Sequence, residues 1–173
     1  MKILFEEITA DGLRLTMDDS SWFPSEDLAL KGSPWARIFL VRKGDRRVFL
    51  EGEIRAKAVL DCDRCLDPFE YVIEDTFEID LELRDPRAQE PPLHEYDLSV
   101  MDTIYLDEPI IDIYQLLAQQ VYLGLPNKKL CKDDCLGLCA RCGASLNTEN
   151  CRCPKETKDS PFAVLIGVVS NKK

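Results

Sequence analysis

Two long stretches of alternating residues constrain this chain more than any other feature. Val48, Leu50, Ile54, Ala56, Ala58 and Leu60 fall on one face, and Glu51, Glu53, Arg55 and Lys57 on the other. After a break at residues 61–68 the pattern resumes with Phe69, Tyr71, Ile73, Phe77, Ile79, Leu81 and Leu83, Asp75 being the exception. Side chains of a strand point alternately to opposite faces, so period two over this length specifies a half-buried antiparallel sheet. Ile38-Phe39-Leu40-Val41, followed by the turn Lys43-Gly44-Asp45, supplies a further strand. Ile3-Leu4-Phe5 and the alternation Leu13, Leu15, Met17 give two short strands or one strand and a loop, and Ile104-Tyr105-Leu106 adds one more. The expected fold class is α+β: a curved antiparallel sheet or small barrel of about five or six strands.

One helix is expected near residues 108–123. Asp107-Glu108-Pro109 reads as its start, with Asp107 as N-cap, acid in the first turn and proline where it is tolerated. Ile110, Ile113, Tyr114, Leu117 and Val121 follow at helical spacing, and Gly124-Leu125-Pro126 stops it. The simpler use of that stripe is packing on the sheet; the sharper one is a groove for a partner. Ser25-Glu26-Asp27-Leu28 reads as a helical turn. Residues 84–97 form a polar, proline-rich loop holding His94, the sole histidine, which reads as a solvated loop residue before it reads as a ligand or base. The apolar run from Ser160 to Val169 is a helix or a strand docking back on the body.

Between the two long alternations lies Cys62-Asp-Arg-Cys65, and near the other end six cysteines fall within 23 residues: Cys131, Cys135, Cys139, Cys142, Cys151 and Cys153. A Cys-x-x-Cys-Gly turn, here Cys139-Ala-Arg-Cys142-Gly143, aims two thiolates at one point while the backbone N–H groups turn toward the sulfurs. Zinc takes four such ligands tetrahedrally. The six C-terminal cysteines are therefore the candidate metal ligands, holding a structural zinc in a zinc-knuckle-like segment. Cys139 and Cys142 with the Cys151/Cys153 pair make the favoured set, because residues two apart in an extended segment face the same side. Cys131 and Cys135 can replace that pair or join Cys62 and Cys65. For Cys62/Cys65 three uses compete: ligands to a metal shared with the C-terminal segment, a redox pair, or incidental thiols in a turn. The redox use wants a helix N-terminus, which a β-hairpin does not provide. Eight thiols complete two four-ligand sites, whereas six make one with two spare.

Composition bounds the partners. The net charge is −10, which disfavours a nucleic-acid surface, but it is uneven. Residues 127–173 hold nine Lys/Arg and five Asp/Glu, whereas the remainder holds 13 and 27. The chain divides on this reading into a β-rich body, 1–126, and a cysteine-rich segment with a tail packed on the body, 127–173. The opening residues carry acids where a signal peptide has its apolar run, and no stretch approaches the 18 or so apolar residues of a membrane span. A cytoplasmic location follows, where thiols stay reduced and eight cysteines speak for metal over disulfides. One histidine cannot build the open site of a catalytic zinc, and neither a phosphate-cradling glycine loop nor a Gly-x-Ser-x-Gly turn is present.

The order of these motifs carries a resemblance. Leu60-Asp-Cys-Asp-Arg-Cys-Leu66 ahead of Phe69, the helix ending Gly124-Leu125-Pro126, Cys135-Leu-Gly-Leu-Cys-Ala-Arg-Cys-Gly-Ala-Ser-Leu-Asn147, the Cys-x-Cys and Ser160-Pro161-Phe162-Ala163-Val164-Leu165 together resemble the YceD family, the large ribosomal RNA subunit accumulation proteins. The likeness spans about residues 36–168. Ala140 stands where the family often has proline and Ser145 where it often has asparagine; neither change removes a ligand. The resemblance implies a bacterial or organellar factor needed for large-subunit ribosomal RNA to be processed or to accumulate, and brings no catalytic residues. The expected function is thus a non-enzymatic ribosome-biogenesis factor whose partners are large-subunit rRNA precursor or ribosomal and assembly proteins, with no small-molecule substrate. A direct RNA-binding zinc module using Lys128, Lys129, Lys132, Arg141, Arg152, Lys155 and Lys158 is one alternative; a thiol redox protein using Cys62/Cys65 is the other.

Overall fold

The structure, a computed structural model, describes residues 1–85 and 103–153. Its main sheet is built from β2 (Leu13–Met17), β3 (Ala29–Leu30), β4 (Trp35–Arg42), β5 (Arg47–Asp61), β6 (Pro68–Leu83) and β7 (Thr103–Leu106). The order is β2-β4-β5-β6-β7, with β3 paired to the far end of β5. The sheet is open among the described residues and does not close into a barrel. A second, two-stranded sheet joins β1 (Lys2–Leu4) to β8 (Ile110–Asp112), which leads into the helix α1 (Ile113–Leu123).

The two alternating stretches form one long hairpin. β5 and β6 pair antiparallel from Arg47↔Glu82 to Asp61↔Pro68 without a break. Their predicted apolar faces are the buried ones: Val48, Leu50, Ile54, Ala56, Ala58 and Leu60 from β5, and Ile73, Ile79 and Leu81 from β6, with Phe69, Tyr71, Phe77 and Leu83 half-buried beside them. Gly52 interrupts the alternation for a steric reason. It stands opposite Phe77, and a Cβ there would lie 2.3 Å from the Phe77 ring. On the outer face opposite charges mark the register: Arg47 meets Glu82 at 2.8 Å and Arg55 meets Glu74 at 3.1 Å. Such exposed pairs add little stability, but a one-residue slip would break them all and turn the core outward.

Helix α1 lays Ile113, Leu116, Leu117 and Val121 into the core that the sheet presents. Its start differs from the sequence expectation. The N-cap is Asp112, whose side chain accepts the Gln115 N–H, and not Asp107. Ile110–Asp112 are drawn into extended pairing with Lys2–Leu4, and this tertiary pairing overrides the cap-like Asp107-Glu108-Pro109. A second difference lies at the sheet edge. β7 runs parallel to β6, not antiparallel. Nineteen residues separate Leu83 from Thr103, enough for the crossover that parallel pairing requires. Ser25–Asp27 form a turn, with the Asp27 and Leu28 N–H groups both donating to the Pro24 carbonyl. His94 with most of the proline-rich loop, and the apolar run Ser160–Val169, lie outside the described residues.

Candidate metal centres

The tip of the β5–β6 hairpin meets the segment that follows α1. Between Asp61 and Pro68 the chain turns through Cys62–Asp67, closed by the Cys62 N–H donating to Asp67 O at 3.0 Å and the Leu66 N–H to Cys62 O at 2.9 Å. Leu66 takes a positive φ of 60° to complete the turn. Residues 129–138 then dock on this tip through backbone groups. The Asp63 N–H donates to Lys129 O at 2.7 Å, and the Lys129 N–H donates back to the Asp63 carboxylate at 2.8 Å. The Leu138 N–H donates to Arg64 O at 3.1 Å, and the Arg64 guanidinium donates to Cys135 O at 2.8 Å. Gly137 makes the close approach possible. It has a φ of +74°, and a Cβ there would lie 2.9 Å from the Arg64 carbonyl oxygen.

This docking gathers Cys62, Cys65, Cys131 and Cys135 around one point, with all four sulfurs within 4.8 Å of one another. Cys62 and Cys135 approach to 3.8 Å and Cys65 and Cys131 to 3.6 Å. Cys62, Cys65 and Cys135 are buried, with Phe69, Leu130 and Leu138 packed around them. A second tetrad is local to the chain: Cys139, Cys142, Cys151 and Cys153, also within 4.8 Å. Its shortest approaches are Cys139–Cys151 at 3.3 Å and Cys142–Cys151 at 3.6 Å. It is the more open of the two, with Cys142 exposed. The turn is the one the sequence announces: the Gly143 N–H donates to Cys139 O at 2.9 Å, and the Cys139 N–H to Ala144 O at 2.8 Å.

Four sulfurs at about 2.3 Å from a tetrahedral ion stand about 3.8 Å apart, whereas a disulfide brings two to about 2.05 Å. All eight cysteines are free, and the closest sulfur pairs of both tetrads lie near the tetrahedral spacing. Either tetrad can hold a metal ion. An all-thiolate donor set suits soft or borderline ions and not magnesium or calcium. The favoured set Cys139, Cys142, Cys151 and Cys153 thus comes together, while Cys131 and Cys135 join Cys62 and Cys65 in place of the other C-terminal cysteines.

The surroundings set the charge on the sulfurs. Burial pushes the Cys62 thiol up, but N–H groups of Cys131, Cys65 and Arg64 turned toward its sulfur bring it down from 9.0 to about 6. N–H groups of Cys142 and Arg141 bring Cys139 down to about 6 as well. Cys135 is lowered first by the Asn147 amide. Thiolates resist company, so neighbouring sulfurs push Cys153 up to about 12; Cys65 also rises, by burial and by the Cys62 sulfur, despite the Asp67 N–H. A bound cation removes that conflict. The ion-bound fold carries fewer protons than an unfolded chain whose thiols titrate near 9.0. Its stability therefore falls as pH is lowered and the thiols regain their protons. Retained metal after dialysis at stepped pH should fall as pH is lowered, and retention that stays flat from neutral into acid pH would contradict thiolate ligation.

Of the uses the sequence leaves open for Cys62 and Cys65, the structure brings them together with Cys131 and Cys135, the grouping that the count of eight thiols also favours. Asn147 has no such signal in the sequence. Its side-chain oxygen accepts the Leu136 N–H at 2.9 Å while its amide nitrogen donates to the Cys135 sulfur at 3.3 Å. Away from the sulfurs, a groove of about 790 Å³ runs between β6, β7 and the end of α1, lined by Glu51, Phe77, Glu78, Ile104, Gln119 and Leu123 among others.

The family profile described as large ribosomal RNA subunit accumulation protein YceD matches residues 50–167, from β5 through every cysteine. The chain belongs to the YceD family. Among curated YceD relatives, the chloroplastic YCED homolog 1 of Arabidopsis thaliana is 26% identical over 180 residues, covering 91% of this chain and 53% of that protein. Its Zea mays counterpart is 28% identical over 130 residues, covering 62% and 44%. An uncharacterized protein of Mycobacterium tuberculosis is 33% identical over 106 residues, covering 59% and 46%. This chain spans about half the length of the curated relatives it matches. No solved structure matches it. Among the described residues no helix is long and apolar enough to cross a membrane.

Proposed function

We propose that this YceD-family protein is a non-enzymatic, cytoplasmic factor that supports processing or accumulation of large-subunit ribosomal RNA. On this reading residues 1–126 are a docking body, and residues 127–173 are a segment shaped by structural zinc at Cys139, Cys142, Cys151 and Cys153. The observation that carries it is the family match over residues 50–167 to proteins named for large ribosomal RNA subunit accumulation. The donor set supports zinc: four thiolates converging with N–H groups on their sulfurs suit a tetrahedral structural ion.

A basic ribosomal or assembly protein is the better-fitting direct partner. The outer face of the hairpin is acidic, and exposed Glu51 stands opposite exposed Glu78. Like charges placed so repel, and a cationic partner relieves them. Direct RNA contact draws its support from Lys128, Lys132, Arg141 and Arg152, which are exposed beside the tetrads. The redox alternative is weakened by burial of both Cys62 and Cys65, since a working redox thiol needs access. Affinity purification of the full-length protein from growing cells at low salt should enrich large-subunit precursors or their proteins. Depleting it should lower large-subunit rRNA relative to small-subunit rRNA. Enrichment of neither, with an unchanged rRNA ratio, overturns the proposal. Survival of the association after ribonuclease treatment marks the protein partner; its loss marks RNA.

A further inference from the structure

Cys62, Cys65, Cys131 and Cys135 form a sulfur cluster that the C-terminal zinc does not use. We propose that these four cysteines hold a second thiolate-ligated zinc ion, distinct from the one at Cys139, Cys142, Cys151 and Cys153, and that Asn147 couples the two sites. The inference rests on the zinc part of the reading above and is independent of its ribosomal part.

The cluster is assembled from two pieces of chain more than sixty residues apart, the tip of the long hairpin and the loop after α1. Incidental thiols of a turn have no reason to converge from such separate pieces. Here four sulfurs sit at near-tetrahedral spacings in a largely buried nest, each pair supplied by a different segment. The charge of four thiolates on one zinc is met locally. The Cys131 N–H lies 3.4 Å from the Cys62 sulfur, and the Asn147 amide donates to the Cys135 sulfur at 3.3 Å. The Arg64 guanidinium is fixed on the Cys135 carbonyl. Donors on ligand sulfurs orient the ligands and offset their charge, the usual role of residues just outside a metal's own ligands.

Asn147 belongs to the other site's loop. It lies between Cys142 and Cys151, and the Thr148 and Glu149 N–H groups fold back on Ser145 O at 3.3 and 2.8 Å. An ion at Cys139, Cys142, Cys151 and Cys153 closes that loop and holds Asn147 where its oxygen takes the Leu136 N–H and its nitrogen reaches Cys135. Each ion therefore tightens binding of the other, and by linkage the two effects are equal in size. The role of Asn147 is positioning: it touches a ligand sulfur and not the ion.

The test uses the full-length chain, purified reduced and without chelator. Zinc is counted by elemental and native mass spectrometry, then replaced by cobalt(II), whose thiolate absorption reports each four-sulfur site as it fills. The wild type should carry two zinc ions, and its cobalt bands should rise through two equivalents, a result that needs no variant. Cys142→Ser, which alters the open site, should leave one ion. Asn147→Leu should keep both sites but weaken the Cys62 site about tenfold to a hundredfold, and filling one site should no longer tighten the other. A single zinc that Cys142→Ser abolishes overturns the second site and leaves the C-terminal zinc standing; no zinc at all overturns both. If filling one site tightens the other as much in Asn147→Leu as in the wild type, or tightens it in neither, the coupling is overturned.

Discussion

Stripping metal from the reduced protein with a chelator should erase hydrogen-exchange protection across residues 129–153 while the sheet keeps its own. The two regions are held by different forces. Ile38, Leu40, Leu50, Ile54, Ile73, Leu81, Ile113 and Leu117 are fully buried in one apolar core shared by the sheet and α1. That core contains no cysteine. Beyond α1 there is no helix or strand among the described residues, only an isolated bridge between Leu138 and Ser145. The buried side chains there are cysteines and the residues packed against them. A segment of about 25 residues so poor in apolar burial cannot meet the entropy of its own ordering, roughly 1–2 kcal/mol per residue for the backbone alone. Structural zinc contributes about 10–16 kcal/mol in small metal-folded domains. Exchange mass spectrometry on metal-bound and chelated protein measures the difference. Protection of residues 129–153 that survives chelation would show that packing alone holds them.

Gly137→Ala should detach the same segment at its hinge without removing a single sulfur. A left-handed backbone costs an L-residue about 1–2 kcal/mol. The added methyl would also press on the Arg64 carbonyl, which already accepts the Leu138 N–H at 3.1 Å. The backbone cannot move away without breaking that bond, so the combined loss should exceed about 2 kcal/mol. At 1.4 kcal/mol per tenfold, metal at the Cys62 cluster should be held about thirtyfold more weakly. Gly143→Ala is the matched control. Its φ is +73°, but a Cβ there meets nothing within 4 Å, so only the backbone cost applies. Competition against a chelator of known affinity, run on both variants, gives the comparison. Equal effects would mean that the Gly137–Arg64 approach contributes nothing.

What the sequence made legible follows from how local each signal is. The hairpin is written in period two, so its two faces, its length and a break within residues 61–68 are legible in the residues alone. The Cys139–Cys142 turn is equally local, and its partners Cys151 and Cys153 lie close enough in the chain to be grouped with it. The helix is capped at Asp112 and not at Asp107: Asp107-Glu108-Pro109 has the chemistry of a cap, but strand pairing with Lys2–Leu4 decides the matter from the other end of the chain. The parallel direction of β7 is likewise a property of the path between Leu83 and Thr103 and not of Ile104-Tyr105-Leu106. Allocation of Cys131 and Cys135 to the hairpin pair depends on Asp63 and Lys129 exchanging hydrogen bonds across 66 positions, which no spacing rule encodes. Asn147 is invisible for the same reason: its value lies in reaching Cys135 and Leu136 at once.

The central claim is that cysteine sulfurs close around metal and thereby give the segment after α1 its shape. X-ray absorption at the zinc edge of the full-length protein tests it most directly. The predicted spectrum has four sulfur neighbours at about 2.3 Å around each ion and no nitrogen or oxygen in that shell. Iron in place of zinc, a shell containing nitrogen or oxygen, or a metal-free protein with its sulfurs paired in disulfides would contradict the account.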